Sequence, residues 1–165
     1  MTSILGTQSI QHPNGTASAT VLADGTFSSP GHVIQTIDSG PKTTIVTVQS
    51  TTFADTSMTN VAITPKFATS KIYVTVTQTI QVWNSAPYAT GRWRILRNIA
   101  GGSYSAVMQD ISTANGNVFA YDYGGSGINI YMPMTYQLLD SPNTTSQVIY
   151  KTQIAQGSNG GNRIT

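Results

Sequence analysis

The stretch from Ser70 to Asn84, SKIYVTVTQTIQVWN, constrains the fold of this chain more than any other. From Ile72 to Val82 nearly every second residue is apolar, and threonines fill most of the positions between them. This period of two, held over more than ten residues, is typical of a half-buried β-strand, whereas a helix would scatter the apolar residues around its axis. A strand of this length needs long neighbours and a second layer that covers its apolar face. We therefore predict that it is the central strand of a β-sandwich.

Gln78 interrupts the apolar face of this strand. A buried amide without hydrogen-bond partners costs about 1–3 kcal/mol, so its side chain needs a partner. We expect a β-bulge or a contact with another subunit near Gln78.

The composition favours a rigid protein that assembles with neighbours. The chain has 165 residues, enough for one domain with a core, and only 8% of them are charged, against about 25% in an average soluble domain. Glu is absent, so the polar surface consists largely of Thr, Ser, Asn and Gln. The net charge of +2 and the absence of a Lys/Arg run argue against nucleic-acid binding.

The sequence also limits the chemistry and the location of the protein. There is no Cys, which excludes disulfides, thiolate zinc sites and cysteine nucleophiles. The first 15 residues lack the basic and apolar blocks of a signal peptide, and no apolar run approaches the roughly 18–20 residues that span a bilayer. We expect a chain made in a cytoplasm, without membrane insertion.

Residues 1–30 differ from residues 31–165. Proline and glycine interrupt the first segment so often that only short strands fit, and alone it buries too little surface to offset its ordering entropy. We predict an extended N-terminal assembly arm held by neighbouring chains, followed by a β-sandwich domain over 31–165. The apolar and aromatic residues expected to make its contacts are Ile4, Leu5, Ile10, His12, Val21 and Leu22.

From residue 31 the alternation and turn signals predict nine or ten strands and no helix. The main strands are predicted at His32–Ile37, Thr43–Gln49, Asn60–Ile63, Ser70–Asn84, Arg92–Ile99, Tyr104–Gln109, Val118–Asp122, Ile128–Asp140 and Thr145–Gln156. Ala86 and Pro87 are predicted to turn the chain towards Gly91, and Pro133 is predicted at an edge or bulge. The fold class is therefore all-β, an antiparallel jelly-roll-like β-sandwich with an extended N-terminal arm.

Catalytic groups are sparse. All six acidic residues are Asp, and three of them lie in turn sequences. Asp110 and Asp122 flank one predicted hairpin, so a glycan depolymerase with paired carboxylates stays an alternative. His12 and His32 have no identifiable triad partners, although histidines from several symmetry-related chains could meet at a metal on an axis. We predict no enzyme, no catalytic or metal-binding residue and no cofactor.

Two groups of side chains are candidates for binding. Arg92 and Arg94 share a strand face that could bind an acidic glycan or phosphate, or could pair with Asp of a neighbouring subunit. Aromatic residues near strand ends could stack on sugars, although core or interface packing is the more common role. The candidate receptor or inter-subunit contacts are Trp83, Tyr88, Arg92, Arg94, Tyr121 and Tyr123, and Tyr104 lies at a further strand end.

Several short motifs occur in one order along the chain. They are GHVIQ at 31–35, ITPK at 63–66, SKI at 70–72, WRILR at 93–97, LDSP at 139–142, YK at 150–151 and NR at 162–163. In this order they resemble the β-sandwich domain of tail-fibre and other virion proteins of tailed bacteriophages. The segment IQHPNGT at 10–16 is similar to leaders that attach such domains to the particle.

This resemblance implies a non-enzymatic virion protein that forms a homo-oligomer, commonly a trimer, with no catalytic residues to transfer. Residues 1–30 would contact other virion proteins, and the domain would act in host attachment as a tail-fibre or receptor-binding component, with a host-surface glycan as a possible ligand. A capsid decoration (cement) protein is the first alternative. A stand-alone carbohydrate-binding module is the second.

Overall fold

The computed structural model describes residues 9–15, 17–29, 31–56, 60–84, 88–109, 118–121 and 127–156. Within these ranges the chain forms eleven strands, all paired antiparallel, and no helix. The prediction of an all-β antiparallel protein is confirmed. In the same ranges no helix is long and apolar enough to cross a membrane.

The strands are numbered in chain order. They are β1 Ser9–Gln11, β2 Ala17–Val21, β3 Phe27–Ser28, β4 Ala54–Asp55, β5 Val61–Ile63, β6 Ile72–Asn84, β7 Tyr88–Ile99, β8 Ser105–Gln109, β9 Val118–Tyr121, β10 Ile128–Asp140 and β11 Val148–Gln156.

The chain divides into two compact units, Met1–Ile37 and Asp38–Thr165. In the first unit, β1, β2 and β3 form a small antiparallel sheet with β2 in the middle. Gly15 and Gly25, both at positive φ, lie in the two turns, where glycine adopts the left-handed conformation without strain. The predicted boundary between residues 30 and 31, and the arm itself, stay predictions.

In the second unit, six strands form one sheet around β7 and β11. These two strands pair along nine residues, from Val148 opposite Ile99 to Gln156 opposite Gly91. On its other side β11 pairs with β4 and β5, and β7 pairs on its other side with β8 and β9. Both central strands therefore have neighbours on both edges.

The remaining two strands, β6 and β10, form a separate two-stranded ribbon. They pair over thirteen residues without a register shift, from Asp140 opposite Ile72 to Ile128 opposite Asn84. Neither strand pairs with any other strand in the described part of the chain. We call this element the β6–β10 ribbon.

One apolar cluster joins the ribbon to the six-stranded sheet. Ile72 and Ile80 of the ribbon belong to the same cluster as the sheet residues Ile95, Val148 and Ile154, which are at most 2% exposed. The ring of Trp93 from β7 contacts the ring of Tyr136 from β10. The predicted inward face of β6 is confirmed over the side chains described, because Val74 and Val76 also pack against this cluster.

Two predicted strands form no ladder with any strand in the described part of the chain. Residues 32–37 and 43–49 take part in none of the strand pairs, although their sequences alternate like strands. Along 45–49 burial still alternates, with Val46 half-buried and Val48 buried between exposed residues. The side-chain pattern of a strand is therefore present, although neither segment belongs to a ladder among the described strands.

The strand predicted from Arg92 begins four residues earlier than expected, and the predicted turn at Ala86 and Pro87 lies outside the described residues. β7 begins at Tyr88, and Gly91 is a buried position inside it, opposite both Gln156 and Val118. The glycine was taken as a turn signal, but strands on both sides hold it in the sheet, and pairing overrides local propensity. The other predicted strands that lie in the described ranges form, with ends shifted by at most three residues.

Candidate assembly surface

The outer face of the β6–β10 ribbon exposes large apolar and aromatic side chains. At one end Tyr73 and Leu139 lie opposite each other and are 61% and 65% exposed. Towards the other end Tyr131 is 63% exposed and Trp83 is 38% exposed. Single exposed apolar residues are common, but clusters at both ends of one strand pair are typical of a contact surface.

The middle of this face is polar but uncharged. Thr75, Thr77 and Thr79 of β6 lie opposite Gln137, Thr135 and Pro133 of β10, and all six residues are exposed. The hydroxyls of Thr77 and Thr135 are 3.1 Å apart and share a hydrogen bond across the strands. Asp140 is the only charged residue in either strand. The face therefore lacks the charges that usually keep strand surfaces from associating.

The two backbone edges of the ribbon are open in the described structure. Each strand uses one edge for its ribbon partner and has no strand on the other. Pro133 fits this position, because proline lacks the N–H group that an interior strand uses on both sides. Edges of thirteen residues whose only charged side chain is Asp140, at one end, are templates for adding strands from another chain.

A groove of about 470 Å³ runs along the edge of β6 at Thr77–Ile80. Residues 41–46, Thr56, Tyr131 of β10 and Ile154 of β11 also line it. Nε2 of Gln78 is shielded from solvent and has no hydrogen-bond partner among the described residues, as is also true of Trp93 Nε1 and Arg97 Nε. The expected bulge is wrong, because the ladder passes Gln78 in unbroken register with Met134 opposite.

Arg92 and Arg94 lie on the face of the six-stranded sheet that points away from the ribbon, and both have partners within the chain. Both guanidinium groups lie over the ring of Phe53, at 5.3 Å and 4.1 Å from its centroid. Arg94 donates two hydrogen bonds to Oε1 of Gln153, at 2.8 Å and 2.6 Å. Arg92 donates to the backbone oxygens of Thr51 and Gln156. A role in binding glycan, phosphate or another subunit stays a prediction.

Asp55 extends this polar network. It accepts a hydrogen bond from Gln153 at 2.7 Å, and Lys151 Nζ lies 2.9 Å from Oδ1. Burial alone would raise the pKa of Asp55, but the hydrogen bonds from Lys151 and Gln153 and the charges of Lys151 and Arg94 outweigh it, so the pKa lies below the usual 3.8. Lys151 also lies 4.1 Å from the ring centroid of Tyr104. The two arginines are therefore set in a network that spans β4, β7 and β11.

A second ion pair lies at the edge of the core. Arg97 donates to both oxygens of Asp140, at 2.7 Å and 3.0 Å, and the hydroxyl of Tyr150 donates to Oδ2 at 2.6 Å. Burial, together with the hydrogen bond and the charge of Asp140, raises the pKa of Tyr150. This group joins the end of β10 to β7 and β11. It fastens the ribbon to the six-stranded sheet.

The predicted aromatic contacts are only partly described. Tyr88 at the start of β7 lies opposite Tyr121 of β9 in the ladder, but the side chains of both lie outside the described residues, as does all of Tyr123. Trp83 lies opposite Asn129 in the ribbon, whereas Tyr88 and Tyr121 belong to strands of the six-stranded sheet. A single aromatic binding site stays a prediction.

The arm residues fall in the first unit. Ile10 is 53% exposed and Val21 is 37% exposed, so both are available to a partner. His12 is exposed and Leu22 is half-buried, and Ile4 and Leu5 lie outside the described residues. Their role in docking stays a prediction.

The residues considered for a glycan depolymerase, a hydrolase triad or a metal site are described next. Asp110 and Asp122 both lie outside the described residues. The ring of His32 contacts the ring of Phe27. No group of three or more His, Asp or Glu residues is placed to hold a metal within the ranges that the structure describes.

Sequence reasoning missed the ion pair of Arg97 and Asp140, although the signal was present. The alternation of β7 places Arg97 on the same face as Trp93 and Ile95, and that of β10 places Asp140 on the face of Tyr136 and Leu138. A charge on an inward face needs a buried partner. The partners of Arg94 had no such signal, because only the pairing of β4, β7 and β11 brings them together.

Comparison with known proteins gives no further identification. No protein-family model, no curated protein and no solved structure matches this chain.

Proposed function

We propose that this chain is a non-enzymatic structural protein of a bacteriophage virion that functions as a homo-oligomer, which the resemblance implies is a trimer. In this proposal residues 31–165 form a jelly-roll-like sandwich, and residues 1–30 form an arm that docks on other virion proteins. The observation that carries the assembly role is the β6–β10 ribbon, whose two backbone edges are open in the described structure.

The physical argument for assembly is that the ribbon is incomplete as a sheet. Two strands alone are marginal in water, and here one face is covered by the core while neither outer edge pairs with a strand in the described part of the chain. A ribbon without charges in its middle would invite uncontrolled pairing, which a closed symmetric oligomer prevents. The exposed ends of its outer face supply apolar surface for the same contact.

The phage assignment rests on the resemblance of the ordered motifs from 31 to 163. The tail-fibre or receptor-binding role is the leading form of the proposal, and a capsid decoration protein is its alternative. The two differ in copy number, since a decoration protein covers the capsid in hundreds of copies and a tail fibre is present in a few tens or fewer. Quantitative mass spectrometry of particles that contain the chain decides between them.

The oligomer is tested on the purified full-length chain by size-exclusion chromatography with light scattering. We expect three times the monomer mass at micromolar concentration, and a monomer at all concentrations would contradict the proposal. A matched pair of variants sharpens the result. Leu139→Lys on the outer face of the ribbon should weaken association, whereas Phe67→Lys, which adds the same charge at an exposed apolar position outside the ribbon, should leave it intact.

The docking role of the arm is tested by deleting residues 2–28. We expect loss of incorporation into particles with the remaining domain still folded, as seen by its circular dichroism. Unchanged incorporation would contradict the docking role without affecting the oligomer.

Glycan binding is a second candidate function, which the exposed rings of Tyr131 and Trp83 favour. An exposed aromatic ring covers the apolar face of a pyranose. The full-length chain on a glycan array should then bind a saccharide, and Trp83→Ala should reduce binding at least tenfold while Tyr104→Ala, on the opposite sheet, leaves it unchanged. An array without any bound saccharide would remove this candidate.

A further inference from the structure

β7 carries three arginines, and only one of them has a carboxylate partner among the described residues. Arg97 is paired with Asp140. Arg92 and Arg94 form no ion pair with any residue that the structure describes. The groups that accept their hydrogen bonds are backbone oxygens and the amide oxygen of Gln153, all of them neutral. These acceptors orient the two guanidinium groups without neutralising them.

The charges of Arg92 and Arg94 act on each other. The two residues are two positions apart on one face of β7, and both guanidinium groups lie within 5.3 Å of the centroid of the Phe53 ring. Burial lowers the pKa of Arg94, and the charge of Arg92 lowers it further, because the two cations repel each other. Arginine nevertheless stays protonated at neutral pH. An anion bound beside the pair would therefore relieve a repulsion that the folded chain already carries.

Both guanidinium groups have donors that no described residue uses. Arg94 donates from Nε and Nη2 to Gln153, and Arg92 donates from the same two atoms to backbone oxygens. Nη1 of neither arginine donates to a described residue, although this atom is also a donor. Hydrogen bonds from a guanidinium group to an anionic oxygen are stronger than those between neutral groups. The existing bonds hold the two arginines in place, which reduces the entropy that a ligand would have to offset.

The surrounding network contains more positive than negative charge. Its cations are Arg92, Arg94 and Lys151, and Asp55 is its only carboxylate among the described residues. Asp55 contacts Lys151 directly and acts on Arg94 through its charge. One carboxylate cannot balance three cations, so the network lacks negative charge. A carboxylate or phosphate group would supply both this charge and the acceptor oxygens.

A second copy of the chain is the less suitable source of this anion. The chain has six aspartates and no glutamate. Each aspartate that the structure describes already accepts a hydrogen bond within its own chain, from a turn amide or from a side chain of the sheet. They are Asp24, Asp38, Asp55 and Asp140. A ligand from outside the chain is therefore the better complement.

We propose that Arg92 and Arg94 form a binding site for an oxyanion group, either the carboxylate of an acidic saccharide or a phosphate group. Nη1 of each arginine donates to the oxygens of this group, and Lys151 adds to the positive potential. The site lies on the face of the six-stranded sheet that points away from the ribbon. It goes beyond the proposed assembly role and does not depend on the oligomer or on the exposed rings of the ribbon.

Isothermal titration calorimetry of the full-length chain at low ionic strength tests this site with three probes. They are tetragalacturonate, inorganic phosphate and the uncharged maltotetraose. We expect heat of binding with at least one of the two anions, weakened by added salt, and none with maltotetraose. Binding of tetragalacturonate without phosphate identifies an acidic saccharide, and the reverse identifies a phosphate group. The absence of binding by both anions would overturn the proposal.

Variants locate the binding on the two arginines. Arg92→Gln/Arg94→Gln should weaken binding of the anion by about tenfold or more, whereas Lys42→Gln, which removes one charge at an exposed position outside the network, should change it by less than about twofold. Circular dichroism checks that each variant is folded. If the double variant is not folded, Arg92→Gln alone, which spares the bonds between Arg94 and Gln153, should still weaken binding by about threefold or more. Unchanged affinity in a folded arginine variant, or an equal loss with Lys42→Gln, would overturn the proposal.

Discussion

The six-stranded sheet and the β6–β10 ribbon are built from similar residues but are completed in different ways. In the sheet, β7 and β11 have neighbours on both edges, and the charged side chains of its outer face find partners in the same chain. The ribbon has one ladder, no charged residue before Asp140 and large apolar side chains exposed at both ends. The central strands of the sheet are paired on both edges within one chain, whereas each ribbon strand is paired on one edge only in the described structure. In the proposed assembly the sheet supplies stability and the ribbon supplies the contact with a partner.

The largest loss of stability should come from a substitution where the sheet and the ribbon pack against each other. Trp93 is 2% exposed and contacts Tyr136, so Trp93→Ala should lower the free energy of unfolding by about 3–5 kcal/mol. Tyr73→Ala, on the exposed face of the ribbon, is the control and should change it by less than about 0.5 kcal/mol in the isolated chain. Urea denaturation measures both. Equal losses would mean that the outer face of the ribbon is also packed.

The more buried of the two ion pairs should contribute more to the free energy of unfolding. Asp140→Asn removes a carboxylate that is 9% exposed from Arg97 and Tyr150, and we expect a loss of about 2–3 kcal/mol. Asp55→Asn acts on a side chain that is 47% exposed, so the loss should be under about 1 kcal/mol. The same denaturation experiment compares them. A larger loss for Asp55→Asn than for Asp140→Asn would contradict this order.

Gln78→Met, unlike the substitutions above, should stabilise the monomeric chain. The substitution removes a shielded amide nitrogen without a partner and keeps most of the volume, so the free energy of unfolding should rise by about 1 kcal/mol. Gln137→Met, at an exposed position of the same ribbon, should leave it nearly unchanged. If Gln78→Met destabilises the monomer, the amide already has a partner within one chain.

The smallest effect concerns pH. The pKa of Asp55 is lowered in the folded chain, so its contribution to stability is present above the usual value of 3.8 and is lost as the pH falls below it through the folded pKa. The free energies of unfolding of the wild type and Asp55→Asn should therefore converge as the solution is acidified, and added salt should reduce their difference at neutral pH. Curves that stay parallel through this range would show that Asp55 does not titrate as described.

The sequence predicted the architecture best where a long alternating pattern sets one face of a strand. β6 and β10 form within two residues of their predicted ends, and the inward face of β6 is as predicted. Local signals failed where partners decide the structure. Gly91 is held in a sheet from both sides, and residues 32–37 and 43–49 join none of the ladders among the described strands.

The candidate surface was less accessible to sequence reasoning. Arg92 and Arg94 were correctly placed on one strand face, but their partners come from strands far away in the chain. The need of Gln78 for a partner could be stated in advance, because it follows from alternation alone. The groove beside it could not be, since it depends on how residues 41–46 lie against β6.

The separation of the ribbon strands along the chain has a consequence for folding. β6 ends at Asn84 and β10 begins at Ile128, so β7, β8 and β9 are synthesised before β6 meets its ladder partner. Contacts between segments so far apart give a high contact order, for which folding in milliseconds to seconds is typical. A nascent or refolding chain thus presents β6 unpaired for an extended time. Low protein concentration or a chaperone should raise the refolding yield, because an unpaired apolar strand is the part of an intermediate that aggregates.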